Sequence, residues 1–62
     1  MNSIYISPMK IVTVDLFFQD DSEKHFENVT EVVFELETTK IVLNNNQKYF
    51  YPSAWIKIME VM

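Results

Sequence analysis

The side chains that could support chemistry are few. The chain of 62 residues contains one histidine, His25, and no cysteine. Asp20 or Asp21 could orient the imidazole, but no serine lies in a nucleophile-elbow setting. The spacing of Asp20, Asp21 and Glu23 differs from that of a calcium-binding loop, and a chain without glycine cannot form a glycine-rich phosphate loop. We therefore expect a protein that is not an enzyme, with no catalytic residue, cofactor or metal.

Acidic residues are concentrated between positions 15 and 37. Eight of the nine acids lie there beside one lysine, for a local net charge of −7 against −4 overall. Solubility is the ordinary explanation, and docking to a basic partner surface is the more specific one. A strand would also space several of these acids like the phosphates of a nucleic acid, which makes mimicry a further alternative. The predicted partner-binding acids are Asp20, Asp21, Glu31, Glu35 and Glu37.

The basic residues are all lysines, since the chain has no arginine. Arginine is the preferred residue for bidentate contacts with phosphates and bases, so the composition does not favour nucleic-acid binding. Lys40, Lys48 and Lys57, with Tyr49 and Tyr51 to stack on bases, remain an alternative.

Hydrophobic periodicity predicts short strands. Alternation at period two marks residues 11–18, 40–43, 48–51 and 56–61 as strands. Polar turn-forming residues occupy positions 19–23, and asparagines follow at 44–46, where they can adopt positive φ in place of glycine. Pro52 ends one strand, and residues 52–55 suit a single 3-10 turn.

The segment at 30–38 has two interpretations. At period two, Val32, Phe34 and Leu36 face inward and form a half-buried strand. At period 3.6, a helical stripe covers about residues 22–37 and gives a β-α-β-β fold. β-Branched and aromatic residues favour the strand.

The apolar residues outnumber the positions of one small core. Hydrophobic residues are 48% of the chain. The predicted core comprises Val12, Val14, Leu16, Phe18, Val32, Phe34, Leu36, Ile41, Leu43, Ile56 and Ile58. The predicted surplus for self-association comprises Phe17, Val33, Val42, Phe50, Trp55 and Met59. Such exposed apolar surface is typical of interfaces and predicts a homo-oligomer, with a dimer favoured; covering the ends of a barrel is the other interpretation.

The fold class expected is all-β, with five antiparallel strands in a small sheet or barrel and a 3-10 turn before the last strand. Residues 26–29 before a strand, the turn at 44–46, and Tyr51 and Pro52 leading to the last strand resemble the layout of SH3-like or Sm-like barrels. The same layout is similar to short β-rich proteins of phages and mobile elements of low-GC bacteria. Residue types with AT-rich codons make up 28 of 62 positions, against 3 with GC-rich codons.

We expect one β domain over residues 10–62, preceded by an extension at 1–9 in which residues 3–6 could add a strand. No apolar run approaches the roughly 18 residues of a membrane span, and no signal peptide is recognisable, so a cytoplasmic protein is expected. The resemblance implies a phage or mobile-element protein that binds and inhibits a host protein, with host-defence complexes as targets. A structural or regulatory accessory domain is the alternative.

Overall fold

The computed structural model describes residues 11–62. The strands are β1 (Val12–Phe18), β2 (Glu23–Phe34), β3 (Thr38–Leu43), β4 (Lys48–Pro52) and β5 (Ile56–Val61). A 3-10 turn (Ser53–Trp55) precedes β5. All neighbouring strands are antiparallel, in the order β4-β3-β2-β1-β5.

This architecture confirms the all-β prediction and the 3-10 turn before the last strand. The helical alternative over residues 22–37 is wrong, because β2 occupies most of that segment and pairs with strands on both sides. The sheet is open and not a closed barrel, since β4 and β5 are its two edges. The proposed extension at 1–9 lies outside the described residues.

Alternation along β1 builds the core. Val14 and Leu16 are fully buried, and the alternate residues Thr13, Asp15 and Phe17 are half-buried on the outer face of the sheet. Val29, Val32 and Ile41 complete the fully buried apolar set from β2 and β3. Aliphatic and β-branched residues suit this position because they fill the pleated face of a sheet.

Strand β2 is long because it belongs to both halves of the sheet. Its first part pairs with β1, its last part pairs with β3, and Val29 pairs with a residue of each neighbour. The register with β1 shifts by one residue across positions 26–29, where Asn28 has φ 60°. A bulge with one left-handed residue bends a strand, and asparagine takes the place of glycine here.

The two hairpin turns are built alike. In residues 18–22 and 43–47, the first residue donates its N–H to the carbonyl of the fifth at 2.8 and 2.9 Å, and the fourth donates to the first at 3.1 and 3.0 Å. The fourth residues, Asp21 and Asn46, both have φ 69°. Asp and Asn tolerate this left-handed conformation better than other non-glycine residues, so a glycine-free chain can still make tight hairpins.

The sheet curls so that aromatic rings of β4 contact rings of β1 and β2. The rings of Phe18 and Tyr51 lie 5.2 Å apart, and those of Phe26 and Tyr49 lie 5.1 Å apart, both in tilted arrangements. Tilted aromatic pairs contribute roughly 0.5–1.5 kcal/mol beyond their burial. The curl therefore closes the core without hydrogen bonds between the edge strands.

Two buried hydroxyl groups fasten the 3-10 turn to the sheet. Ser53 Oγ donates to the carbonyl of Glu35 at 2.5 Å, and Thr39 Oγ1 lies 2.8 Å from Ser53 Oγ. Because the Ser53 proton is used on the carbonyl, Thr39 is the donor in the second bond. Thr39 is fully buried and Ser53 nearly so.

Two residues predicted in the core lie at the surface. Leu36 is 84% exposed because β2 ends at Phe34, and Ile58 is 50% exposed because a bulge in β5 shifts the alternation. Conversely, Phe26 and Val29 are buried although neither was in the predicted core.

We predict that Asn28→Ala lowers the free energy of unfolding by about 1–2 kcal/mol, since a Cβ-bearing residue without a polar side chain resists the left-handed conformation. Asn28→Gly should keep or raise stability. Asn44→Ala is the matched control, because Asn44 is also an exposed asparagine but lacks positive φ. Urea denaturation measures all three, and equal effects of Asn28→Ala and Asn44→Ala would contradict the role of the bulge.

Ser53→Ala should destabilise the chain by about 1–3 kcal/mol, because it leaves the Thr39 hydroxyl and the Glu35 carbonyl without this partner. Adding Thr39→Val removes one of those groups, so the double variant should lose less than the sum of the single changes. Thermal denaturation of the four proteins checks this, and strict additivity would argue against the hydroxyl pair.

Candidate protein-binding cleft

The predicted partner-binding acids lie in three places. Asp20 and Asp21 form the tip of the β1–β2 turn, Glu35 and Glu37 lie in the connection from β2 to β3, and Glu31 is within β2. A single strand over 30–38 would place Glu31, Glu35 and Glu37 on one face with phosphate-like spacing. That arrangement is absent from the described residues, because β2 ends at Phe34.

The 3-10 turn lies between the two acidic turns. Gln19 N donates to the carbonyl of Trp55 at 2.8 Å, and Ser53 N donates to the carbonyl of Glu37 at 2.9 Å. Residues two apart in one short turn thus bind the β1–β2 turn and the β2–β3 connection. The fold brings acids from both segments to the same end of the molecule.

A cleft of about 410 Å³ opens beside the 3-10 turn. Its lining residues come from the β1–β2 hairpin, the end of β4 and the 3-10 turn; they are Phe18, Gln19, Asp20, Ser22, Lys24, Tyr51, Ala54 and Trp55. The volume falls in the usual range for ligand pockets, roughly 300–1,000 Å³.

The apolar part of the cleft is aromatic. Phe18 is nearly buried beneath it and packs against Tyr51, while Trp55 is 59% exposed. Burial raises the pKa of the Tyr51 hydroxyl, with a smaller effect from Tyr49, so this side chain is neutral at physiological pH. An exposed indole beside a fixed ring presents flat apolar faces to a bound side chain.

The polar rim of the cleft is held in place by the turn. Asp20 Oδ1 accepts hydrogen bonds from Ser22 N at 2.9 Å and Ser22 Oγ at 2.5 Å. The Ser22 hydroxyl bond, and then the backbone bond, lower the pKa of Asp20 below its ordinary value. The charged form is the one the turn orients, so the cleft has a permanent negative charge at its rim.

The sequence predicted Asp20 and Trp55 as binding residues, but it did not predict that they line the same cleft. Phe18 and Tyr51 were assigned to a core strand and a stacking role, and Lys24 received none. The signal available was the order Tyr51, Pro52 and then a 3-10 turn, which returns the chain to the end of β1. Residues 18–24 and 51–55 are far apart in the sequence, so hydrophobic periodicity cannot predict that they line one cleft.

Glu31 is less available than a free acidic group would be. Its side chain is 25% exposed, and its Oε1 lies 3.4 Å from Lys40 Nζ. Exposed or half-exposed pairs of this kind contribute roughly 0–1 kcal/mol. Glu31 therefore belongs to a local ion pair on the sheet and not to the cleft.

The predicted apolar surplus divides into three groups. Trp55 and Phe50 are 59% and 60% exposed, Phe17 and Val33 are half-buried, and Val42 is buried. Met59 is also half-buried and packs against the core. Only part of the predicted surface is thus exposed.

The alternative nucleic-acid surface is not assembled. Tyr49 and Tyr51 pack against the core, while Lys48, adjacent along β4, points to the opposite face. Lys57 lies on β5, at the far edge of the sheet from β4. The structure does not bring the lysines and the tyrosine rings together.

His25 contacts different acids from those expected. It lies opposite Asp15 in the β1–β2 register, with Nδ1 2.5 Å from Asp15 Oδ1 and Nε2 3.2 Å from Glu27 Oε2. Asp15 also lies opposite Glu60 of β5. The bond to Asp15, followed by that to Glu27, raises the pKa of His25 above its ordinary value of 6.5. The imidazole is exposed, and its two ring nitrogens each contact a carboxylate.

Within residues 11–62, no group of three or more histidine, cysteine or acidic side chains is placed to hold a metal ion. None of the helical segments in that range is long and apolar enough to cross a membrane. A scan against protein-family models and searches of curated proteins and solved structures each find no match to the chain.

The His25 cluster predicts a pH dependence of stability. A histidine whose pKa is raised by folding adds stability that is complete below its unfolded pKa and is lost as pH rises through its folded pKa. The protein should therefore lose stability as the pH rises from 6.5 through the raised value. His25→Gln should reduce this loss, as measured by urea denaturation at a series of pH values. The same slope in both proteins would contradict the assignment.

Proposed function

We propose that this chain is a non-enzymatic protein-binding module whose cleft holds a basic, partly apolar segment of a partner protein. The observation that supports this is the exposed Trp55, which lines an aromatic cleft and belongs to the 3-10 turn bonded to both acidic segments. A tryptophan is costly to leave in water, and large aromatic residues are enriched among those that dominate binding energy.

The charge of the surroundings favours a basic occupant. Asp20 is at the rim, Asp21 and Glu23 lie in the same hairpin, and Glu37 lies in the connection bonded to the 3-10 turn. Among the lining residues Asp20 is the one acid and Lys24 the one base, so the excess of negative charge comes from the neighbouring acids. A negative potential steers cationic partners and weakens with salt.

The aromatic rings fit the same occupant. An arginine or lysine over an indole or phenol ring is attracted to the ring face, with roughly 0.5–2 kcal/mol at partly exposed sites. The aliphatic stem of that side chain, or a neighbouring apolar residue, can cover the remaining ring surface. A basic, partly apolar segment can therefore interact with both the aromatic rings and the acidic residues.

A phage or mobile-element origin, and inhibition of a host protein as the outcome of binding, belong to this proposal. Their support is the residue composition and the layout of strands described above. A regulatory accessory domain would use the same cleft without inhibiting its partner. Capture of host proteins on immobilised wild-type chain, followed by an activity assay of whatever is retained, separates the two.

A defined probe tests the cleft directly. We expect a short peptide of alternating leucine and arginine to bind by calorimetry, and its counterpart with glutamate in place of arginine not to bind. Trp55→Ala should weaken binding about 30-fold or more, as for a typical anchor residue. Phe50→Ala is the matched control, because Phe50 is an equally exposed aromatic residue outside the cleft.

Asp20→Asn isolates the charge from the fold of the turn. Asn45 already accepts a hydrogen bond from Gln47 N at 3.0 Å at the equivalent place of the second hairpin, so asparagine can keep this turn. We expect weaker binding of the arginine peptide and a smaller salt dependence. Equal affinity of the wild type, Trp55→Ala and Asp20→Asn proteins would disprove the proposed cleft.

A further inference from the structure

The two edges of the open sheet differ in how well they are protected. On β4, the bond from Leu43 N to the carbonyl of Gln47 sets the alternation, so the main chains of Lys48, Phe50 and Pro52 face away from β3. Proline has no N–H to offer, and lysine discourages the approach of another strand. The β4 edge therefore resists pairing.

The second half of β5 has no proline or lysine to discourage the approach of another strand. Thr13 and Met62 exchange two main-chain hydrogen bonds of 2.8 Å, which sets the alternation between β1 and β5. In an antiparallel ladder every second residue faces its neighbour, so the N–H and C=O groups of Met59 and Val61 face away from β1. No strand of the described residues pairs with these groups.

Exposed apolar side chains accompany these main-chain groups. Ile58, Val61 and Met62 are 50%, 41% and 72% exposed. The only charged residues in β5 are Lys57 and Glu60, which cancel. Most of the chain's negative charge lies instead in the β1–β2 turn, in the β2–β3 connection and along β2.

We propose that β5 pairs in antiparallel fashion with β5 of a second copy of this chain. A strand supplies the donors and acceptors that the edge lacks, and a second copy meets a neutral edge instead of an acidic surface. The resulting two-fold dimer continues the sheet across both subunits. This surface does not include the proposed cleft.

The charges select the register of the pair. Centring the two-fold axis on Glu60 would place two like charges directly opposite each other, which is destabilising. Centring it on Met59 places Met59 opposite its copy and Ile58 opposite Glu60 of the second copy. The latter register uses the outward groups of Met59 and Val61 and avoids the repulsion.

Single cysteines test the register, since the chain has none of its own. Opposed residues in an antiparallel pair have Cα separations of roughly 4.5–5.5 Å, which a disulfide can span. Under mild oxidation we expect Met59→Cys to form a covalent dimer. Ile58→Cys and Glu60→Cys should not crosslink alone but should crosslink when mixed. Self-crosslinking of Glu60→Cys, without the mixed product, would overturn the proposed register.

A proline at the outward position tests the edge. Val61→Pro removes an N–H that faces away from β1, and Phe50→Pro does the same on the β4 edge as the matched control. By sedimentation equilibrium in the micromolar range we expect a dimer for the wild type and Phe50→Pro. For Val61→Pro the dissociation constant should rise about tenfold or more, because two symmetric hydrogen bonds are lost. A monomeric wild type, or equal effects of the two prolines, would overturn the proposal.

Discussion

The bend in β2 at Asn28 is the constraint on which the rest of the structure depends. One strand of 12 residues serves both halves of the sheet, and Val29 pairs with β1 on one side and β3 on the other. A straight strand of this length would hold the two halves in one gently twisted plane. The left-handed residue permits the bend, after which the rings of β4 reach those of β1 and β2.

The position of the cleft follows from that curl. The chain leaves β4 at Pro52 and must return to the edge beyond β1, so the 3-10 turn crosses the open end of the curled sheet. There it receives one hydrogen bond from the β1–β2 turn and donates two to the β2–β3 connection. The buried hydroxyls of Thr39 and Ser53 hold the turn from below, which leaves Trp55 directed outward.

Pattern analysis succeeded where the ladder is regular and failed at the bulges. Along β1 every predicted inward residue is buried, because no irregularity interrupts period two before its end. In β2 the bulge separates the buried residues Phe26 and Val29 by three positions, so no single period places both inward. In β5 the shift near Lys57 turns Met59 toward the core and Ile58 toward solvent. The bulges leave little trace in this glycine-free sequence, because asparagine adopts the left-handed conformation in β2 and the bulge near Lys57 requires no positive φ.

The same features separate the charge from the apolar surface. Four of the nine acids, Asp20, Asp21, Glu35 and Glu37, lie in the β1–β2 turn and the β2–β3 connection. Turn chemistry favours aspartate at such positions. The curl gathers the β1–β2 turn and the β2–β3 connection around Trp55, while β5 forms the sheet edge beyond β1 and carries balanced charge. No residue of β5 lines the cleft. Binding at the cleft and pairing along β5 therefore use different residues, and occupation of one need not block the other. A chain this short can therefore present two distinct binding surfaces, because the bend in β2 places them on different parts of one sheet.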